Sequence, residues 1–173
     1  MTFYSSTLVS LILANLFPLF GVLFFKWQVS DIIFFYWFEN VIIGVINVLK
    51  MALAGGDLAK SWMAQTASKS GQILFFIFHY GMFTGVHGVF VMVLFGVPKM
   101  SWLALLATAG VMILSHGESF VQNYIGRKEY MKSTVDSLFM QPYGRIVVVH
   151  MTIILGAFLS LGLKAHWGAL AVM

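Results

Sequence analysis

The sequence predicts an all-α protein, a polytopic transmembrane helical bundle of five spans with a partial sixth at the C-terminus left open. Three observations carry that reading. The chain is 60% hydrophobic and 9% charged, whereas a soluble domain is roughly a quarter charged. Its mean hydropathy is +0.92. Its apolar residues gather into five runs near the roughly 20 residues that a helix needs to cross a bilayer. With 173 residues in all, no length remains for a sizeable soluble domain, so residues 1–173 read as a single transmembrane domain.

The first span is placed at residues 7–25 and contains Asn15 and Pro18. The preceding residues lack the basic start of a signal peptide, so it is read as a retained helix. A tight hairpin at Lys26, Trp27 and Gln28 leads into the second span, residues 31–53. The polar stretch 54–72 is taken as a loop, the third span as 73–95, and the fourth, after Pro98 and Lys99, as 102–122. Trp27 and Trp102 sit where an interfacial aromatic belt would place them. In the second loop, 123–143, Ser133 followed by Asp136 resembles a capping box opening a short surface helix that Pro142 ends. The fifth span is placed at 144–163, and the apolar tail from His166 is too short to cross by itself.

Lys50, Lys60, Lys69, Arg127, Lys128, Lys132 and Arg145 fall in or beside the two longer loops, against Lys26, Lys99 and Lys164 on the other side. The positive-inside rule then makes loops 54–72 and 123–143 and the N-terminus cytoplasmic. The net charge of +4 is explained by this topology. The basic residues form no patch suited to nucleic acid, and none is expected as a partner; the partner is the lipid bilayer. With no cysteine, disulfides, thiolate metal sites and cysteine nucleophiles are excluded.

Ionisable side chains inside such runs are costly and mark functional sites by default. His79, His116 and His150 each lie six residues from the cytoplasmic end of their span, a depth of about 9 Å. Three helices thus bring one imidazole each to one level. Glu39 and His87 lie about 12 Å from the outer face, where a Glu39–His87 hydrogen bond is expected. Glu39, Asn47 and Lys50 fall within about 80° on one helix and form a polar seam. Glu118, two residues from His116, points about 160° away from it.

Several chemistries fit these residues. Three neutral imidazoles at His79, His116 and His150 suit a transition metal, Zn, Fe or Cu, and Met82 and Met112 add a thioether option for copper. His79 and His150 on facing helices suit a haem. Glu39, Asn40, Asn47, Lys50 and His87 suit a proton or ion relay in a small transporter or channel. The structural alternative for each is a hydrogen bond that fixes helix packing, and the same holds for an accessory role in a homo-oligomer or a larger membrane complex. Gly81 and Gly85 form a G-x-x-x-G pair for close helix approach, or with Gly88 clear room for a cofactor ring. A Ser119–His150 dyad lacks the glycine-flanked serine elbow, and zinc-protease motifs are absent. The sequence assigns no reaction.

The strings Trp37-Phe-Glu39-Asn40, His79-Tyr-Gly81-Met-Phe83 through His87-Gly88, Ser115-His116 and Pro142-Tyr143-Gly144-Arg145 leading to His150 resemble an uncharacterised family of small bacterial integral membrane proteins, a domain of unknown function. The resemblance spans residues from about 30 to 160 and implies an inner-membrane helical bundle, continued by a further C-terminal helix. It implies no activity.

Overall fold

The structure is a computed structural model describing residues 28–56 and 62–163. They form α1 (Val29–Leu53), α2 (Trp62–Phe95), α3 (Trp102–Ser119), α4 (Val135–Met140) and α5 (Tyr143–Leu163). α3 runs on into a π-helical stretch, Phe120–Gly126, and a 3-10 turn, Glu129–Met131, precedes α4. No strand occurs among the described residues. Four segments are long and apolar enough to cross a membrane: Ser30–Leu53, Ser68–Phe95, Trp102–Gly126 and Val135–Leu155. They correspond to the second to fifth expected spans. The expected first span, the hairpin at Lys26 and Trp27, and the tail with His166 lie outside the described residues.

α1 opens on a reciprocal capping box between Gln28 and Asp31. Asp31 is 2% exposed, and its carboxylate does more than cap. Oδ2 accepts from Gln28 N at 2.9 Å, and Oδ1 accepts from Lys99 N at 2.7 Å across the α2–α3 turn. Hydrogen bonds to a charged group contribute about 1.5–3 kcal/mol each. Asp31→Ala is therefore expected to destabilise the protein by about 2–3 kcal/mol, read by thermal unfolding in detergent. An unchanged midpoint would show that this clasp does not hold the turn.

α1 is the hub, packing on α2, α3, α4 and α5. Its tightest contacts are with α2, whose buried seam runs Phe76, Tyr80, Thr84, His87 and Val91, the three-and-four spacing of an interhelical stripe. A Cβ at Gly44 would lie 2.5 Å from the Tyr80 ring, and one at Gly88 would lie 2.6 Å from the Trp37 indole. Trp37 Nε1 donates to Thr84 O at 2.7 Å, which locks the indole over Gly88. The G-x-x-x-G pair does not serve this contact: nothing lies within 4 Å of a Cβ at Gly81 or Gly85. Both stand one position past the buried seam, on the exposed side of α2.

Two segments expected as polar loops are structured. α2 begins at Trp62, about three turns before the expected start at 73, because Ala64, Gln65, Ala67 and Lys69 are good helix formers with no proline among them. The extension is tied back by Lys69 Nζ donating to Ala54 O at 2.8 Å and Gln72 Nε2 donating to Asp136 Oδ1 at 2.6 Å. The short helix of the second polar segment exists, but Thr134 rather than Ser133 caps it, accepting from Ser137 N. It is not a surface helix. Val135 and Leu138 are 3% and 5% exposed and join Met51, Phe76, Tyr80, Tyr124 and Ile146 in one core cluster.

The outer surface is apolar. α3 has no fully buried residue, and Leu103, Val111 and Leu114 are among many large hydrophobic side chains left exposed. Such a surface suits lipid, which is as apolar as leucine and gives no drive to hide it.

Candidate functional site

The polar centre is built on Glu39. α1 places this carboxylate between α3 and α5, where His116 Nε2 donates to Oε1 at 3.1 Å and Arg145 Nη2 donates to Oε2. Three helices thus meet at one acid and two basic groups. The Glu39, His116 and Arg145 side chains are 22%, 29% and 43% exposed, so the triad opens to one side. Glu118 points elsewhere, accepting from Gln122 Nε2 at 2.7 Å.

The other two intramembrane contacts form a ladder between α2 and α5. His79 Nδ1 and the Tyr143 hydroxyl share a hydrogen bond of 2.7 Å, and His87 Nε2 and His150 Nδ1 share another of 2.7 Å. The sequence separations are 64 and 63, so the helices run parallel in register, with rungs about 12 Å apart along α2. This corrects the expected level of three imidazoles. His150 meets His87 rather than His79, because α4 is folded into the core and α5 consequently starts deeper. His116 is also farther from the helix end than expected, since α3 and its π-helical continuation reach Gly126. The same shifts replace the expected Glu39–His87 pair with Glu39–His116.

The proton positions on the imidazole pair follow from one neighbour. His87 Nδ1 donates to Phe83 O at 2.6 Å, because a carbonyl has no proton to give. Neutral His87 then accepts at Nε2, and His150 Nδ1 donates to it. His87 is 4% exposed while His150 is exposed, so of the two imidazoles His150 is the one open to the surroundings. Nitrogen NMR of labelled protein is expected to show His87 as the Nδ1–H tautomer; an Nε2–H signal would invert the pair.

Asn40 is 3% exposed. Its Nδ2 donates to Tyr36 O at 2.7 Å, its backbone carbonyl accepts from the Tyr80 hydroxyl at 3.0 Å, and its Oδ1 has no hydrogen-bond partner among the described residues. Asn47 Nδ2 donates to Leu138 O at 2.8 Å, which anchors α4 in the bundle. Lys50 Nζ stands 5.5 Å from the centre of the Tyr124 ring, a cation–π distance. Asn47, Lys50, His116, Ser119, Gln141 and Arg145 are the polar lining of a cavity of about 240 Å³ between α1, α3 and the start of α5.

Among the described residues no group of three histidine or acidic side chains is placed to hold one ion, and His79, His116 and His150 go to Tyr143, Glu39 and His87. A haem between His79 and His150 would have to displace Tyr143 and His87. Arg145 reads from the sequence as a loop charge and a member of the Pro142–Arg145 string rather than a site residue, and its place three residues past Pro142, at the start of a span, is the available clue. Tyr143, the partner of His79, stands in the same string, but nothing in its position points to a histidine.

No curated protein and no solved structure matches the chain. One family model does match, over residues 2–173, and the chain belongs to the family it describes, a family of unknown function (DUF6498).

Proposed function

We propose that the protein is a small inner-membrane transporter, with its N-terminus cytoplasmic, that moves protons through the bundle by way of Glu39. The observation behind this reading is the carboxylate shared by His116 and Arg145 beside an open cavity. Ionisable groups at such a depth mark ion pathways and proton relays. Glu39 and His116 exchange a proton along their hydrogen bond, and Arg145 supplies the fixed positive charge that keeps the carboxylate in place. His150 lies five residues farther along α5, about 7.5 Å of axial rise and about 140° around the helix from Arg145, so the step between them needs a chain of several waters. The His87–His150 pair is the second station. Proteoliposomes loaded with a pH-sensitive dye test the reading: wild type is expected to conduct protons under an imposed gradient and Glu39→Gln is not. A tight wild-type liposome, or equal flux in the variant, overturns it.

A further inference from the structure

We propose that the cavity between α1, α3 and the start of α5 is a binding site for a phosphate group. The electrostatics of its wall carry this. Lys50, His116 and Arg145 line it and no carboxylate does. Glu39, the nearby acid, has both oxygens committed to His116 and Arg145. Lys50 has an aromatic face beside it but no acidic partner among the described residues. Lys50 is half-buried in the last turn of α1, and an anion is the natural partner of its ammonium. The wall therefore has a cationic surplus that an anion would neutralise.

The donors specify what kind of anion. Lys50 comes from α1, Ser119 from α3, and Gln141 and Arg145 from the α4–α5 corner. Arg145 uses one of its nitrogens for Glu39, leaving other N–H groups of its five-donor fork free. Donors arriving from three helices surround an acceptor from several directions. A phosphate, with oxygens on every side, uses such a set more fully than a planar carboxylate, and arginine and lysine are its usual partners.

Size and walls narrow it further. About 240 Å³ is below the roughly 300–1,000 Å³ of sites for drug-sized ligands, so a small ion or a headgroup fits. Ile43, Ile46, Phe120 and Pro142 complete the lining, and an apolar wall beside basic groups between membrane helices suits the phosphate of a lipid as well as the free ion. The site does not depend on proton transfer at Glu39.

The test uses the full chain. In neutral detergent, inorganic phosphate is expected to raise the unfolding midpoint saturably above a chloride control of equal ionic strength. Lys50→Gln is expected to weaken that response by about tenfold, as loss of a hydrogen bond to a charged group would, and Lys50→Arg to restore it. In nanodiscs, phosphatidylcholine with added phosphatidylglycerol is compared with phosphatidylcholine alone. Stabilisation by phosphatidylglycerol but not by inorganic phosphate, lost in Lys50→Gln, assigns the site to a lipid headgroup; stabilisation by inorganic phosphate assigns it to the free ion. If Lys50→Gln does not fold, Ser119→Ala at an exposed position takes its place, with an expected weakening of about threefold. No response to either probe, or a response that the substitutions leave unchanged, overturns the proposal. Retained phosphate binding in Glu39→Gln separates this site from the proton path.

Discussion

Glu39→Gln is expected to lower proton flux by about a hundredfold, the low end of what a positioned acid–base group contributes. The amide keeps the size and one acceptor of the carboxylate but cannot take a proton from His116. Stability should change far less than flux. Removing one partner of a fully buried pair costs about 3–5 kcal/mol, but the Arg145 side chain is 43% exposed, and exposed pairs are worth about 1 kcal/mol or less. A loss of about 1 kcal/mol in detergent unfolding is therefore expected. The contrast between the two readouts is the diagnostic, because a purely packing role would move them together. Arg145→Lys sharpens it: the charge stays and the fork geometry goes, so intermediate flux is expected.

Gly88→Leu is expected to be the most destabilising single change at the α1–α2 interface. Even the first carbon of the new side chain would sit 2.6–3.0 Å from three atoms of the Trp37 indole. That ring cannot swing aside cheaply, since doing so breaks its hydrogen bond to Thr84 O. Overpacking of this kind costs about 1–3 kcal/mol, and the broken bond adds about 1 kcal/mol more. Gly85→Leu, one turn away and facing open space, should stay within about 0.5 kcal/mol of wild type. Equal losses for the two variants, measured by unfolding in mixed micelles, would remove the basis for treating Trp37 on Gly88 as the tight contact.

The helical class and the second to fifth spans were legible because apolar runs of span length admit few alternatives. Partner identity was much less legible, and one segment accounts for most of the difference. The polar count of residues 123–143 marks them as loop, yet Val135 and Leu138 are three apart and both turn into the core. Folding that helix inward moves every residue of α5 relative to α2 by about two turns. His150 and Arg145 consequently acquire partners that depth counting assigns to others. Gly81 and Gly85 illustrate a second limit. A small-residue motif shows where close approach is permitted, whereas the Trp37 indole, fixed by its bond to Thr84, shows where it occurs.

The separation between Glu39 and Arg145, 106 residues, has a consequence for biosynthesis. At about 5–20 residues per second, α1 emerges roughly 5–20 seconds before the guanidinium that will face its carboxylate. Until α3 brings His116, 77 residues after Glu39, the nascent helix must keep the acid at a hydrated edge or carry it discharged by a proton. The acid is thus settled last, when α5 docks, and a ribosome-stalled chain ending before Arg145 would hold α1 less firmly in the bilayer than the finished protein does.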